Sequence, residues 1–337
     1  MNDVGLKEAL YWEKTETGRV LCQLCPHGCR IAEGQVGLCQ VRKNVGGTLF
    51  TLNYGRISAA NLDPIEKKPL FHFYPGSLIL SLGTVGCNLA CSFCQNWSIA
   101  QTGDTTGTRP LTPEHAVKMA RSEPGNIGLA YTYNEPFIWY EYVLETAELA
   151  QAEGLKNVLV TNGYVQEAPL RRIMPLIDAM NVDVKSMSER FYRELCRGRP
   201  EPPRRTVELA KEYDCEVEIT SLVIPNWNDT EKDFQALVDW AASVDPNLPL
   251  HFSRYHPDYR LAEPPTPAQT LSRAREIARE KLNYVYLGNL YPTEGENTDC
   301  PGCGRTVIAR QGFAVTAVSV VDQKCDFCGF GIPIVGT

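Results

Sequence analysis

Three cysteines in one short segment, Cys87, Cys91 and Cys94, are the residues of this chain best suited to chemistry. Three residues and then two separate them, so one tight loop can present three thiolates to three irons of a cubane cluster and leave the fourth iron open. An open metal position admits a reacting ligand, by the same logic as a catalytic zinc site, and a bidentate amine and carboxylate would fill it. The bland alternative is a structural ion one ligand short, or three buried thiols.

Of the 13 cysteines, only Cys196 and Cys215 stand alone, and a lone buried cysteine usually serves packing. Cys300, Cys303, Cys325 and Cys328 make two C-x2-C knuckles, each followed by a glycine that lets the backbone turn its N–H groups toward sulfur. That pattern predicts a closed zinc site, with rubredoxin-like iron as the alternative, and the β-rich stretch 307–321 between the knuckles suggests a zinc-ribbon-like domain. Cys22, Cys25, Cys29 and Cys39, with Gly34 and Gly37 nearby, suit either zinc or a second [4Fe-4S] cluster, and His27 could stand in for a thiolate.

The elements that must position these groups are legible as alternation. Apolar runs at 78–85, 127–131, 157–161, 179–184, 217–224, 250–252 and 284–287 read as strands, and amphipathic stretches such as 137–152 and 229–244 read as helices between them. Thr112 and Pro113 read as N-cap and first helical residue. Strand–helix repeats predict an α/β fold with a parallel sheet, a partial or full (β/α) barrel, whose working residues follow the C-terminal ends of the strands. The expected division is a cysteine-rich extension at 1–76, a barrel core at 77–290 and a C-terminal four-cysteine domain at 291–337.

The cysteine loop, which follows the first of these strands, resembles that of the radical S-adenosylmethionine (SAM) superfamily. The likeness runs over about 77–290 and implies that one electron, delivered through the cluster, cleaves SAM to methionine and a 5′-deoxyadenosyl radical that abstracts hydrogen from substrate. Phe93 resembles the aromatic residue beside the adenine pocket. Tyr133-Asn134-Glu135-Pro136 stands where relatives carry a Gly-Gly-Glu-like stretch, so the resemblance gives Asn134 and Glu135 to the SAM ammonium; the alternative for Glu135 is a helix N-terminal carboxylate. Asp183 and Lys185 resemble a D-x-K motif of the glycyl-radical-activating branch, and alternation puts both on one side of a strand; a plain strand-end ion pair is the other reading. Asn162 and Asn226 are candidates for the ribose or methionyl group, or turn residues. His251, Arg254 and His256 are candidate proton donors or substrate contacts, with structural histidines as the alternative.

The segments Cys25-Pro-His-Gly-Cys29, Gly37-Leu-Cys39-Gln-Val-Arg42 and Asp63-Pro-Ile-Glu-Lys-Lys-Pro-Leu-Phe-His-Phe-Tyr-Pro-Gly76 look like those of AmmeMemoRadiSam-system radical SAM proteins, which are similar to pyruvate formate-lyase activating enzymes. The resemblance implies a low-potential electron donor of flavodoxin or ferredoxin type and a protein or peptide substrate. Modification of a small molecule and a non-catalytic metal-binding role are the alternatives. A net charge of −7 speaks against nucleic acid as a partner. The charged first residues and the lack of a long apolar run lead to the expectation of a cytoplasmic protein without a signal peptide or membrane span.

Overall fold

The computed structural model describes residues 6–16, 18–290 and 295–337. The expected junction at 290/291 adjoins residues 291–294, which lie outside the described residues, as do residues 1–5 of the expected extension.

All seven apolar runs are strands. They are β2 (Leu78–Gly83), β3 (Asn126–Tyr131), β4 (Lys156–Thr161), β5 (Ala179–Asp183), β6 (Glu216–Val223), β7 (Leu250–Arg254) and β8 (Val285–Gly288), preceded by β1 (Ala59–Pro64). The eight lie in sequence order in one sheet, β1 antiparallel to β2 and the rest parallel. Among the described residues no ladder joins β8 back to β1, so the α/β barrel is partial.

Helices α1 (Pro113–Ser122), α2 (Tyr140–Ala152), α3 (Glu167–Ile173), α4 (Glu201–Lys211), α5 (Glu231–Val244) and α6 (Ala268–Arg279) connect successive parallel strands. The Thr112 hydroxyl accepts the His115 N–H at the start of α1, and Thr230 and Asp233 close a capping box at the start of α5. Among the described residues no helix is long and apolar enough to cross a membrane.

The segment between β1 and β2 fills the barrel toward the N-terminal ends of its strands. Ile65, Leu70 and Phe73 pack against Ile79, Ala130, Val158 and Ala179. Beside them runs a buried polar network. His72 donates its backbone N–H to Glu218 (2.7 Å), the His72 ring meets the Tyr286 hydroxyl (2.8 Å), and His251 Nε2 lies 2.5 Å from Glu218. From the C-terminal part, Arg310 donates to Thr298 Oγ1 (2.9 Å) and the Phe71 carbonyl (2.8 Å), and Phe73 bridges Val335. The C-terminal residues therefore close the barrel floor.

Burial pushes Glu218 up to about 8 and pushes His72 and His251 down to about 3. Burial thus favours the neutral Glu218–His251 pair over the ion pair. The share of stability from Glu218 is complete below its unfolded value and is lost as pH rises toward about 8; the share from the histidines is present above their unfolded value and is lost as pH falls toward about 3. Between about pH 6 and pH 8 the melting temperature of Glu218→Gln is accordingly expected to fall less than that of the wild type. Equal slopes would place an ionised Glu218 in the fold.

Candidate active site

The loop after β2 carries the three cysteines, and neighbouring elements hold it from several sides. Ala90 and Ser92 donate their N–H groups to the carbonyls of Cys196 (2.9 Å) and Leu195 (2.8 Å), in the turn after β5. Arg260 N–H donates to the Ser92 carbonyl (2.9 Å), which ties in the loop after β7. His27 Nε2–H donates to the Asn88 carbonyl (2.7 Å), and Asn88 Nδ2 in turn donates to the Tyr164 carbonyl (2.7 Å).

Gly86 is a point of close approach between this loop and the N-terminal extension. Its φ is +92°, and a Cβ there would lie 2.7 Å from the Cys39 carbonyl oxygen and 2.9 Å from Val41 Cγ1. Gly86→Ala is therefore expected to cost about 1–3 kcal/mol in chemical denaturation. A loss no larger than the few tenths usual for an exposed loop position would show that the two segments are free to separate.

Backbone donors face two of the three sulfurs. Leu89 N–H points at Cys87 Sγ (3.4 Å), and Asn96 N–H points at the Cys94 sulfur. The Cys91 thiol is held below its usual range by a hydrogen bond from the Cys196 thiol and by the Lys185 ammonium. Burial instead pushes Cys94 up to about 11 and Cys87 well above its usual value, so these two need metal charge to ionise. Lys185 ion-pairs with Asp183 (2.9 Å) and stands 5.9 Å from the Phe93 ring. Burial works against its ammonium, but Asp183 and the sulfurs of Cys91 and Cys196 outweigh it and raise its pKa.

The candidate residues divide in two. Phe93, Asp183, Lys185 and Asn162 gather round the cysteines; Asn162 Nδ2 donates to Asn88 Oδ1 (2.9 Å) and stands 3.6 Å from Cys87 Sγ. His256 also reaches the mouth, its Nε2 3.0 Å from Gln95 Nε2, one residue past Cys94. Asn134 and Glu135 brace the scaffold. Asn134 accepts the Thr84 N–H (3.1 Å) and donates to the Gly86 carbonyl (2.8 Å). Glu135 is buried and accepts from Phe137 N–H (2.9 Å), Thr161 Oγ1 (2.7 Å) and Asn162 N–H (2.8 Å), so both carboxylate oxygens already tie β3 to β4. Its helix-capping alternative is what the geometry displays.

Asn226 is exposed and donates to Glu263 (2.9 Å), while Arg254 donates to the Thr266 carbonyl (2.8 Å); neither hydrogen bond goes to the cysteine loop. His251 belongs to the floor network with Glu218, Phe71 and Tyr286. Sequence reasoning passed over two contributors. Cys196 stands alone in the sequence, where nothing in one dimension links it to Cys91. Asn228 is buried and donates to the Lys185 carbonyl (2.8 Å); only its place after β6 could have pointed to it.

The C-terminal cysteines form a tighter arrangement. Cys300 and Cys328 sulfurs are 3.6 Å apart, Cys303 and Cys325 3.8 Å, and all four lie within 4.8 Å of one another. A tetrahedron of metal–sulfur bonds of about 2.3 Å has an edge of about 3.8 Å, so this group is sized for one ion.

Residues 81–241 match the family model of the radical SAM superfamily. An uncharacterized protein of Methanocaldococcus jannaschii, MJ0808, is 42% identical over 336 residues, which cover 98% of this chain and 100% of that protein. A second uncharacterized protein of the same organism, MJ0674, is 25% identical over 287 residues, 79% of this chain and 76% of that one. Among solved structures, a domain of pyruvate-formate lyase-activating enzyme from Bacteroides vulgatus aligns over 48% of this chain and 99% of its own, with 18% identity and a TM-score of 0.42. A radical SAM methyltransferase from Sphaerobacter thermophilus aligns over 64% of this chain and 67% of its own, with 16% identity and a TM-score of 0.48. The chain belongs to the radical SAM superfamily and is a radical SAM enzyme, which works with a [4Fe-4S] cluster, SAM and a reductant.

Proposed function

We propose that Cys87, Cys91 and Cys94 hold the [4Fe-4S] cluster and that the enzyme abstracts hydrogen from a protein or peptide, in the manner of a glycyl-radical activase. The observation that carries the reading is the convergence on one loop of three cysteines, N–H groups aimed at their sulfurs, and the Asp183–Lys185 pair. The cluster with SAM supplies the 5′-deoxyadenosyl radical, and every other part of the task falls to the chain. Lys185 offers its ammonium to the SAM carboxylate or the substrate. Phe93 and Asn162 line the cofactor side, and His256 stands where substrate enters. Asn134 and Glu135 act by fixing the loop. The electron comes from a low-potential donor of flavodoxin or ferredoxin type.

Substrate size is supported by where the C-terminal part lies. The C-terminal residues pack on the floor with Phe71, Tyr284 and Tyr286, and among the described residues no ladder closes the sheet between its edges. That leaves room for a polypeptide segment at the mouth. The same placement suits a three-part division at about 1–76, 77–290 and 291–337, with zinc at Cys300, Cys303, Cys325 and Cys328 as a structural ion.

The test is anaerobic SAM cleavage with dithionite, using a deuterated cell extract split by size. Deuterium entering 5′-deoxyadenosine from the macromolecular fraction supports the proposal. Entry from the small-molecule filtrate alone moves the enzyme to small-molecule chemistry, and intact SAM with a full cluster removes the catalytic assignment.

A further inference from the structure

The four N-terminal cysteines gather round one buried spot. Cys22, Cys25, Cys29 and Cys39 line a single cavity with apolar Leu24, Ile31 and Ile138 and the side chain of Arg42. His27 N–H points at the Cys25 sulfur, Leu38 N–H at Cys29 and Val41 N–H at Cys39. Two of these three N–H groups stand two residues after their sulfur, as Leu89 and Asn96 do in the catalytic loop. Backbone donors aimed at sulfur stabilise thiolates bound to metal.

Arg42 supplies an independent observation. It is 1% exposed, donates to the Leu10 carbonyl (2.8 Å) and pairs with Glu141 (2.5 Å), yet its Nε is buried without a partner. A guanidinium already paired with one carboxylate gains from further negative charge at its free edge, which a tetrathiolate metal centre provides.

Size separates a single ion from a cluster. Among the described residues, only the C-terminal cysteines bring their ligand atoms within 4.8 Å of one another. The N-terminal four share one cavity without closing to that separation, as expected when each thiolate binds a different iron.

The position then gives the site a use. The Cys39 carbonyl touches Gly86, the residue before Cys87, which puts the two cysteine Cα atoms at most about 10 Å apart. Cys25 packs in the same buried cluster as Cys91, Leu89 and Phe93, and His27 holds the Asn88 carbonyl.

We propose that Cys22, Cys25, Cys29 and Cys39 hold a second iron–sulfur cluster, which exchanges electrons with the catalytic cluster across the Gly86 and His27 contacts. The donor, a low-potential one-electron carrier, gives up one electron. The N-terminal cluster takes it and passes it on, so each transfer returns that cluster to its starting state and reduces the catalytic one by a single electron. The inference rests on the reading that Cys87, Cys91 and Cys94 hold the catalytic cluster.

The test uses the full chain, reconstituted anaerobically with iron and sulfide, and a variant carrying Cys87→Ala, Cys91→Ala and Cys94→Ala together. The wild type is expected to hold about eight irons and the variant about four, each with one zinc per chain. Reduced wild type should give an electron paramagnetic resonance signal broadened by coupling between two nearby spins; the variant should give one unbroadened signal. About four irons and two zincs in the wild type would overturn the proposal, as would a variant without iron. Eight irons without spin coupling would overturn the electron exchange. The wild-type measurements decide the matter even if the variant does not fold. Four irons with SAM still cleaved would sink this inference alone, whereas eight irons with SAM intact would sink the catalytic reading alone.

Discussion

Cys91→Ala is expected to abolish 5′-deoxyadenosine formation, whereas Cys196→Ala should lower it by about 10–100-fold, the usual cost of removing a group that supports a metal ligand. The difference follows from position. Cys91 is the one cysteine of the loop whose pKa is lowered, and the hydrogen bond from Cys196 is the first cause. Cys196 itself is wholly buried, and burial keeps its thiol protonated as the donor. On the proposed ligation, removing Cys91 opens a second iron, whereas removing the donor leaves the ligand set whole but weakens the thiolate. The check is product counting by chromatography beside iron analysis, and Cys196→Ser should recover part of the activity because a hydroxyl still donates. If Cys196→Ala matched the wild type in iron content and rate, the hydrogen bond would have no functional weight.

Arg42→Met should have the largest effect on folding, a loss of about 3–5 kcal/mol, because it strands a buried carboxylate. Arg42 and Glu141 are 1% and 2% exposed, and Glu141 Oε1 accepts from both the guanidinium and the Leu10 N–H. Their pair joins the N-terminal extension to α2, so its loss should also loosen the extension where it meets the cysteine loop at Gly86 and Asn88. Anaerobic denaturant titration reads the first effect, and proteolysis within residues 6–45 reads the second. The double variant Arg42→Met, Glu141→Gln should regain a large part of the lost stability, since no unpaired charge then stays buried. No regain would assign the loss to packing of the long side chain.

Much of this was written in local pattern. The apolar runs gave every parallel strand within a few residues, because a strand buried on both faces needs a continuous apolar stretch wherever it sits. The Thr112 cap was legible too, since a cap is a contact within one turn. The C-terminal four-cysteine cluster was legible because chelation by paired short segments depends on the spacing within each knuckle.

Where function depends on contacts between distant segments, the sequence by itself was silent. Glu135 has the same place in the chain as a SAM ligand or as a brace; only the tertiary structure brings Thr161 and Asn162 to its two oxygens. His251 sits in a motif with Arg254 and His256, but strand direction sends it to Glu218 in the barrel floor and His256 to the mouth. Cys196 acquires its meaning from a turn that folds back on Cys91. The sequence determined the cysteine chemistry and the alternation that builds the barrel, both short-range properties of the chain. Tertiary structure decided which polar side chains face the cysteines and which are consumed in holding the loops, because that choice is made by neighbours far away in sequence.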